Sequence, residues 1–152
     1  RVVKRYVAIG IRSITLSDTI GSANPKQVYD LAAHLRDHYP EVEWPMHFHN
    51  TRDLALANIL AAMQAGMREF DAAVGGLGGC PYAPNASGNI ATEDLVNMME
   101  ELGIETGVDL EAVLRAAEML KEVIPHPLHS SLLKAGKPWR LLKAPEKQMK
   151  LG

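Results

Sequence analysis

The sequence predicts an α/β domain built on a parallel sheet, and two observations carry the prediction. Short β-type runs alternate with amphipathic helical stretches in the order β-α-β-α-β-α-α, and that alternation folds as parallel strands joined by right-handed helical crossovers. The polar residues able to carry chemistry fall just after the β-type runs, where parallel α/β architectures place function. Three strands of this kind fit either a small doubly wound sheet or part of a (β/α)8 barrel.

Each element has its own local reason. Residues 1–10 read as the end of a helix closing at Gly10. Residues 11–17, IRSITLS, set Ile11, Ile14 and Leu16 among polar neighbours and read as a strand, followed by a loop through Asp18, Thr19 and Gly21. Asn24-Pro25 marks a helix start with proline at the first helical position. Val28, Leu31, Ala32 and Leu35 then share one face, and Pro40 ends the helix. A strand follows from Val42 to His49. The next helix carries Leu56, Ile59, Leu60 and Met63 and stops at Gly66. A third strand runs from Glu69 to Val74. Thr92 is a candidate N-cap and Gly103 a candidate C′ residue for a helix with Leu95, Met98, Met99 and Leu102 on one face. Asp109 is placed to cap a last helix, with Leu110, Val113, Leu114, Ala117 and Leu120 on one face, stopped before Pro125. Residues 1–125 therefore read as the βα units. Residues 126–152 read as a tail, rich in Pro, Lys and His, irregular and docked through Leu132, Leu133 and Trp139.

Composition narrows the function classes. The chain has 152 residues, 47% hydrophobic and 22% charged, with a net charge of −2. That is enough length for one real core, and no basic footprint for nucleic acid or an anionic membrane. No apolar run approaches bilayer length, and no signal-peptide pattern is visible. The one cysteine excludes an internal disulfide framework and suits a reducing compartment. Opening on Arg1, the chain reads as a segment whose natural start lies upstream, where a targeting peptide would escape notice.

Residues 75–89, GGLGGCPYAPNASGN, organise the chain. Gly75, Gly76, Gly78 and Gly79 allow positive φ and close approach of backbone to a ligand. Pro81 and Pro84 then stiffen the path. A flexible half followed by a rigid half suits a mobile loop that delivers one side chain, Cys80. Taken alone, the same pattern fits a long surface turn with a buried, inert thiol.

His47-Phe48-His49 is the second informative stretch. Side chains alternate along a strand, so His47 and His49 share a face at its C-terminal end and can share one divalent metal; two histidines on a solvated strand end would look the same. His34, His38, His126 and His129 read as surface or tail residues. Asn89 offers a carbonyl ligand for Mg²⁺ or Mn²⁺, or an ordinary turn residue. Glu93 supports a ligand or simply suits a helix N-terminus. Asp18 holds a histidine or a substrate hydroxyl, or caps its loop.

Together, GGLGGCPYAPNASGN, the upstream HFHNT and the downstream ATEDLV resemble the 3-hydroxy-3-methylglutaryl-CoA lyase family, its bacterial branch above all, within the metal-dependent lyase and Claisen-synthase barrel superfamily. The likeness runs from about Ser17 to about Leu114. It implies the C-terminal part of a (β/α)8 TIM barrel, about three βα units plus a terminal helix. It also implies a carbon–carbon lyase that splits 3-hydroxy-3-methylglutaryl-CoA into acetyl-CoA and acetoacetate, chemistry of leucine degradation and ketone-body metabolism. By the same resemblance His47, His49 and Asn89 bind a divalent cation, Mg²⁺ or Mn²⁺, and Cys80 is a catalytic acid/base. Asp18 and Glu93 take supporting roles, as second-shell or substrate contacts. His47 is the nearest candidate to relay the hydroxyl proton. The implied partners are an acyl-CoA substrate and further copies of the complete chain, with no nucleic acid and no membrane. Two departures stand out. Asn50 occupies the position after the second histidine where the animal enzymes carry Asp, and the family's first-strand Arg-Asp pair has no counterpart here. Another acyl-CoA lyase or Claisen-type synthase, or a non-catalytic barrel segment, remains the competing expectation.

Overall fold

The computed structural model describes residues 1–79 and 88–136. Cys80, Pro81, Pro84 and Trp139 lie outside them. Along the chain come α1 (Val2–Ala8), β1 (Leu16–Asp18), α2 (Pro25–His38), β2 (Met46–Phe48), α3 (Ala55–Gln64), a 3-10 turn at Val74–Gly76, α4 (Thr92–Glu101), α5 (Leu110–Val123) and α6 (Ser131–Ala135).

β1 and β2 pair in parallel, Leu16 with Met46, Ser17 with His47 and Asp18 with Phe48. Both strands are shorter than the sequence suggests, and Pro45 is the reason. Glu43 makes both bonds of a ladder, its N–H to Arg12 and its C=O from Ile14. Pro45 accepts from the Leu16 N–H but has no N–H to return, so the pairing at Ser13–Glu43 is cut off from the regular strands. The expected third strand is likewise reduced to single bridges. Residues 69–71 bracket Met46, with the Met46 N–H on Glu69 and the Asp71 N–H on Met46. Two residues later Ala73 changes partner, pairing in parallel with Ala91. Ala91 is thus a fourth parallel position, which the sequence reading ran straight through.

The helices form where their ends are satisfied. Asn24 caps α2 with its side chain on the Gln27 N–H, and Gln27 returns the bond, a full capping box with proline in the first turn. Asp109 caps α5 through the Ala112 N–H. Ala91, not Thr92, is the N-cap of α4; Thr92 is its first helical residue and donates its N–H to Ala73 of the sheet. The buried faces are narrower than the apolar pattern. Leu31 is 50% exposed while Val28, Ala32 and Leu35 enter the core, and α3 buries Ala55, Ile59, Ala61 and Ala62 rather than Leu60. Small residues let α2 and α3 lie close against the sheet, where Trp44, Met46 and Phe48 meet them. The start of the tail is ordered as α6: Leu132 packs with Val96 and Leu110, and Ser130 caps the helix through the Leu133 N–H.

Candidate functional site

The C-terminal end of β2 gathers the site. Met46 and Phe48 point into the core, so their neighbours His47 and His49 face the other side of the sheet, with ring centroids 5.1 Å apart. What brings Asn89 to them is backbone pairing. The Ile90 N–H donates to Phe48 and the Asn50 N–H donates to Gly88, which sets His49 and Asn89 opposite each other in an antiparallel bridge. The Asn89 amide is fixed by its nitrogen, which donates to the Leu77 carbonyl at 2.8 Å. Among the described residues its Oδ1 is buried without a partner, and so is Nδ1 of His49. Buried polar atoms normally find partners, and here two orphans belong to the two residues that the bridge joins.

The surroundings of His49 favour its neutral form. Burial lowers its pKa below the ordinary histidine value, the neighbouring His47 lowers it further, and Asp18 and Asp71 oppose the shift. A neutral imidazole is the form that binds metal. Two imidazoles and one amide oxygen suit a first-row divalent cation, and the orphaned atoms are the observation that fits it. Among the described residues no group of three or more His, Cys, Asp or Glu side chains comes together to hold a metal.

The other expected residues are placed as follows. Asp18 ends β1 and spends its carboxylate on its own loop, accepting from the Ser22 and Ala23 N–H groups at 2.9 Å each. Glu93 is 0% exposed, and both of its oxygens lie 3.1 Å from the Gly75 N–H. It therefore grips the glycine corner rather than facing the histidines. Gly75, Gly76 and Gly78 take positive φ, whereas Gly79 does not. At Gly78 the need for glycine is specific: φ is +103° and a Cβ would sit 2.7 Å from Asn89 Nδ2. Asn50 accepts the Ala55 N–H and so helps start α3. Cys80 lies outside the described residues, one position beyond Gly79.

Sequence reasoning passed over Asp71. Its Oδ1 lies 2.6 Å from Nδ1 of His47. The signal was present in the register: Met46 pairs with Phe70, so the next residues, His47 and Asp71, stand level on neighbouring strands.

Known proteins resemble this chain in sequence and fold. A hydroxymethylglutaryl-CoA lyase of Bacillus subtilis is 46% identical over 137 residues, 90% of this chain and 46% of the relative. An (R)-citramalyl-CoA lyase of Chloroflexus aurantiacus is 47% identical over 135 residues, 89% of this chain and 43% of the relative. An HMG-CoA lyase of Acinetobacter baumannii, solved with coenzyme A and 3-methylmalate, aligns with a TM-score of 0.89 at 51% identity, covering 95% of this chain and 47% of that one. The chain spans a little under half the length of these relatives, and its α/β unit is the C-terminal part of a (β/α)8 barrel. The agreement reaches from α1 well into α5: residues 1–120 match the HMGL-like family, and the chain belongs to it.

Proposed function

We propose that this chain is the C-terminal part of a carbon–carbon lyase that cleaves 3-hydroxy-3-methylglutaryl-CoA to acetyl-CoA and acetoacetate. The observation that carries the reading is the bridge that sets His49 opposite Asn89 just past the end of β2, with the His47 ring 5.1 Å from that of His49 and with His49 Nδ1 and Asn89 Oδ1 buried without a partner among the described residues. These three residues would hold a divalent cation, Mg²⁺ or Mn²⁺. The bound cation supplies Lewis-acid polarisation of the substrate's tertiary hydroxyl oxygen. Cys80 delivers a proton to the carbon freed as the C–C bond breaks, as a general acid. Asp18 and Glu93 serve in support: Asp18 shapes the loop after β1, and Glu93 holds the corner from which Cys80 follows. The first-strand Arg-Asp pair of the family belongs to the barrel half that this chain does not span. The active protein is a homo-oligomer of the full natural polypeptide, working in the cytoplasm in leucine degradation and ketone-body metabolism. Among the described residues no helix is long and apolar enough to cross a membrane.

A second reading rests on the 47% identity to a citramalyl-CoA lyase: the same apparatus acting on that shorter acyl-CoA. One experiment separates the two. The full natural polypeptide is assayed on both thioesters, with Mn²⁺ and after chelation. We expect cleavage of 3-hydroxy-3-methylglutaryl-CoA with the higher kcat/KM, abolished by the chelator and restored by the cation. A higher kcat/KM on citramalyl-CoA selects the second reading, and activity untouched by chelation sinks the metal-dependent mechanism in both.

A further inference from the structure

We propose that Asp71 is the positioning residue of His47, fixing which ring nitrogen is presented to the cation; the inference rests on the metal site proposed above. The contact between His47 Nδ1 and Asp71 Oδ1 is 2.6 Å. An ionised carboxylate can only accept, so the proton of the bond sits on Nδ1. A neutral imidazole with its proton on Nδ1 has its lone pair on Nε2, and that is the nitrogen left for a metal. Metal-bound histidines are commonly held this way, with a carboxylate on the far nitrogen setting tautomer and ring orientation.

The sheet builds this contact. Asp71 donates its N–H to the Met46 carbonyl, the residue before His47, while the Met46 N–H is held by Glu69. The carboxylate is therefore aimed by strand register, level with His47, and not by a loop. Stability gives no reason for the pair. The His47 side chain is 25% exposed and that of Asp71 60% exposed, and ion pairs that open contribute little to folding. The two histidines are also held by different means: His49 is walled in at 5% exposure with no partner on Nδ1 among the described residues, whereas the more exposed His47 has a carboxylate to hold its ring. The consequence bears on mechanism. With Nδ1 engaged by Asp71 and Nε2 turned to the cation, His47 has no nitrogen left to relay the substrate's hydroxyl proton, and its part is that of a ligand.

The test uses the full natural polypeptide and four substitutions, Asp71→Ala, Asp71→Asn, His49→Ala and Asn89→Ala. Mn²⁺ affinity is measured by calorimetry, thermal stability by calorimetric melting, and the His47 tautomer by ¹⁵N NMR of the cation-free protein. Loss of an orienting partner costs metal affinity about 10–100-fold, so Asp71→Ala should weaken Mn²⁺ binding in that range with its melting temperature close to wild type. Asp71→Asn keeps an oxygen that accepts from Nδ1–H and should recover much of the loss. The wild-type His47 should show the Nδ1–H tautomer, and Asp71→Ala a mixture. Mn²⁺ affinity within about twofold of wild type in Asp71→Ala, with the tautomer unchanged while His49→Ala abolishes binding, overturns the inference. If His49→Ala and Asn89→Ala leave Mn²⁺ binding intact, the metal site itself is refuted, and the tautomer of His47 still decides whether Asp71 governs it.

Discussion

Gly78 and Asn89 show how little room the site leaves at the level of single residues. The Asn89 nitrogen is tied to Leu77 while its oxygen has no partner among the described residues, and Gly78 lies against that same amide. A Gly78→Ala substitution meets two obstacles, a positive φ and a Cβ 2.7 Å from Nδ2. A left-handed conformation alone costs a non-glycine residue about 1–2 kcal/mol. We expect Gly78→Ala to lower stability by at least that much in denaturant titrations and to weaken cation binding by displacing Asn89. Unchanged cation affinity would show that the amide is not held through this contact. Cys80 makes a sharper case. As the general acid, its replacement by Ala in the full natural polypeptide should lower kcat about 10²–10⁴-fold with cation binding retained, and Ser should not rescue. Near-normal turnover would leave the cysteine without a chemical role. The residue types of the site were legible: an HxH at a strand end and an asparagine closing a glycine stretch both announce themselves. Asp71 was not legible, because a lone Asp in a β-type run gains meaning only when strand register sets it beside His47.

Elements were read best where a local device ends them. Asn24-Pro25, Gly10, Gly66 and Asp109 act through their own backbone preferences and side-chain caps, so sequence suffices. Pairing between segments is a long-range property, and there the reading fell short: Pro45 breaks a ladder that the apolar pattern ran straight through, and the parallel position at Ala91 rests on one bridge. α6 escaped for a related reason, since its N-terminus is completed from α4. Asp94 accepts from Ser130 Oγ at 3.0 Å and from the Ser131 and Leu132 N–H groups at 2.9 and 2.8 Å. Next to it in sequence, Glu93 takes the Gly75 N–H, while the Gly75 carbonyl accepts from His129 and Leu128 packs over the same glycine. Adjacent carboxylates on the first turn of α4 thus tie the chain after residue 127 to the glycine corner. Hydrogen bonds to a charged group contribute about 1.5–3 kcal/mol each, not additively. Asp94→Ala should accordingly destabilise the protein by about 2–3 kcal/mol and speed hydrogen exchange at the Leu132 and Leu133 amides first. Exchange at those amides equal to wild type would mean that α6 is held by Leu132 packing alone.

For the molecule as a whole, the question is what a partial barrel does with its open sides. The described sheet positions run from β1 through β2 and segment 69–73 to segment 89–91, and among the described residues nothing pairs with the outer edge of β1 or of 89–91. The face carrying Ser17, His47 and Asp71 is the interior side, which a closed barrel fills with layers of side chains. Unpaired edges recruit other strands, and α1 with the residue after it adds exposed Val2, Tyr6 and Ile9. The core behind the sheet is real, with Ala32, Ile59 and Ala62 fully buried, so the segment has enough apolar contact to hold its helices against the strands. It lacks what closure supplies. We therefore expect the 152-residue chain on its own to self-associate, with a broad melt whose midpoint rises with concentration, and to become a well-behaved species when the remaining barrel half is supplied in the same polypeptide or co-expressed. Light scattering with thermal melting at several concentrations decides it. A sharp, concentration-independent, monomeric transition for the isolated chain would mean that four parallel positions and their helices close a core without the rest of the barrel. The exposed face of His47 and Asp71 would then belong to a self-sufficient domain rather than to the interior of a larger one.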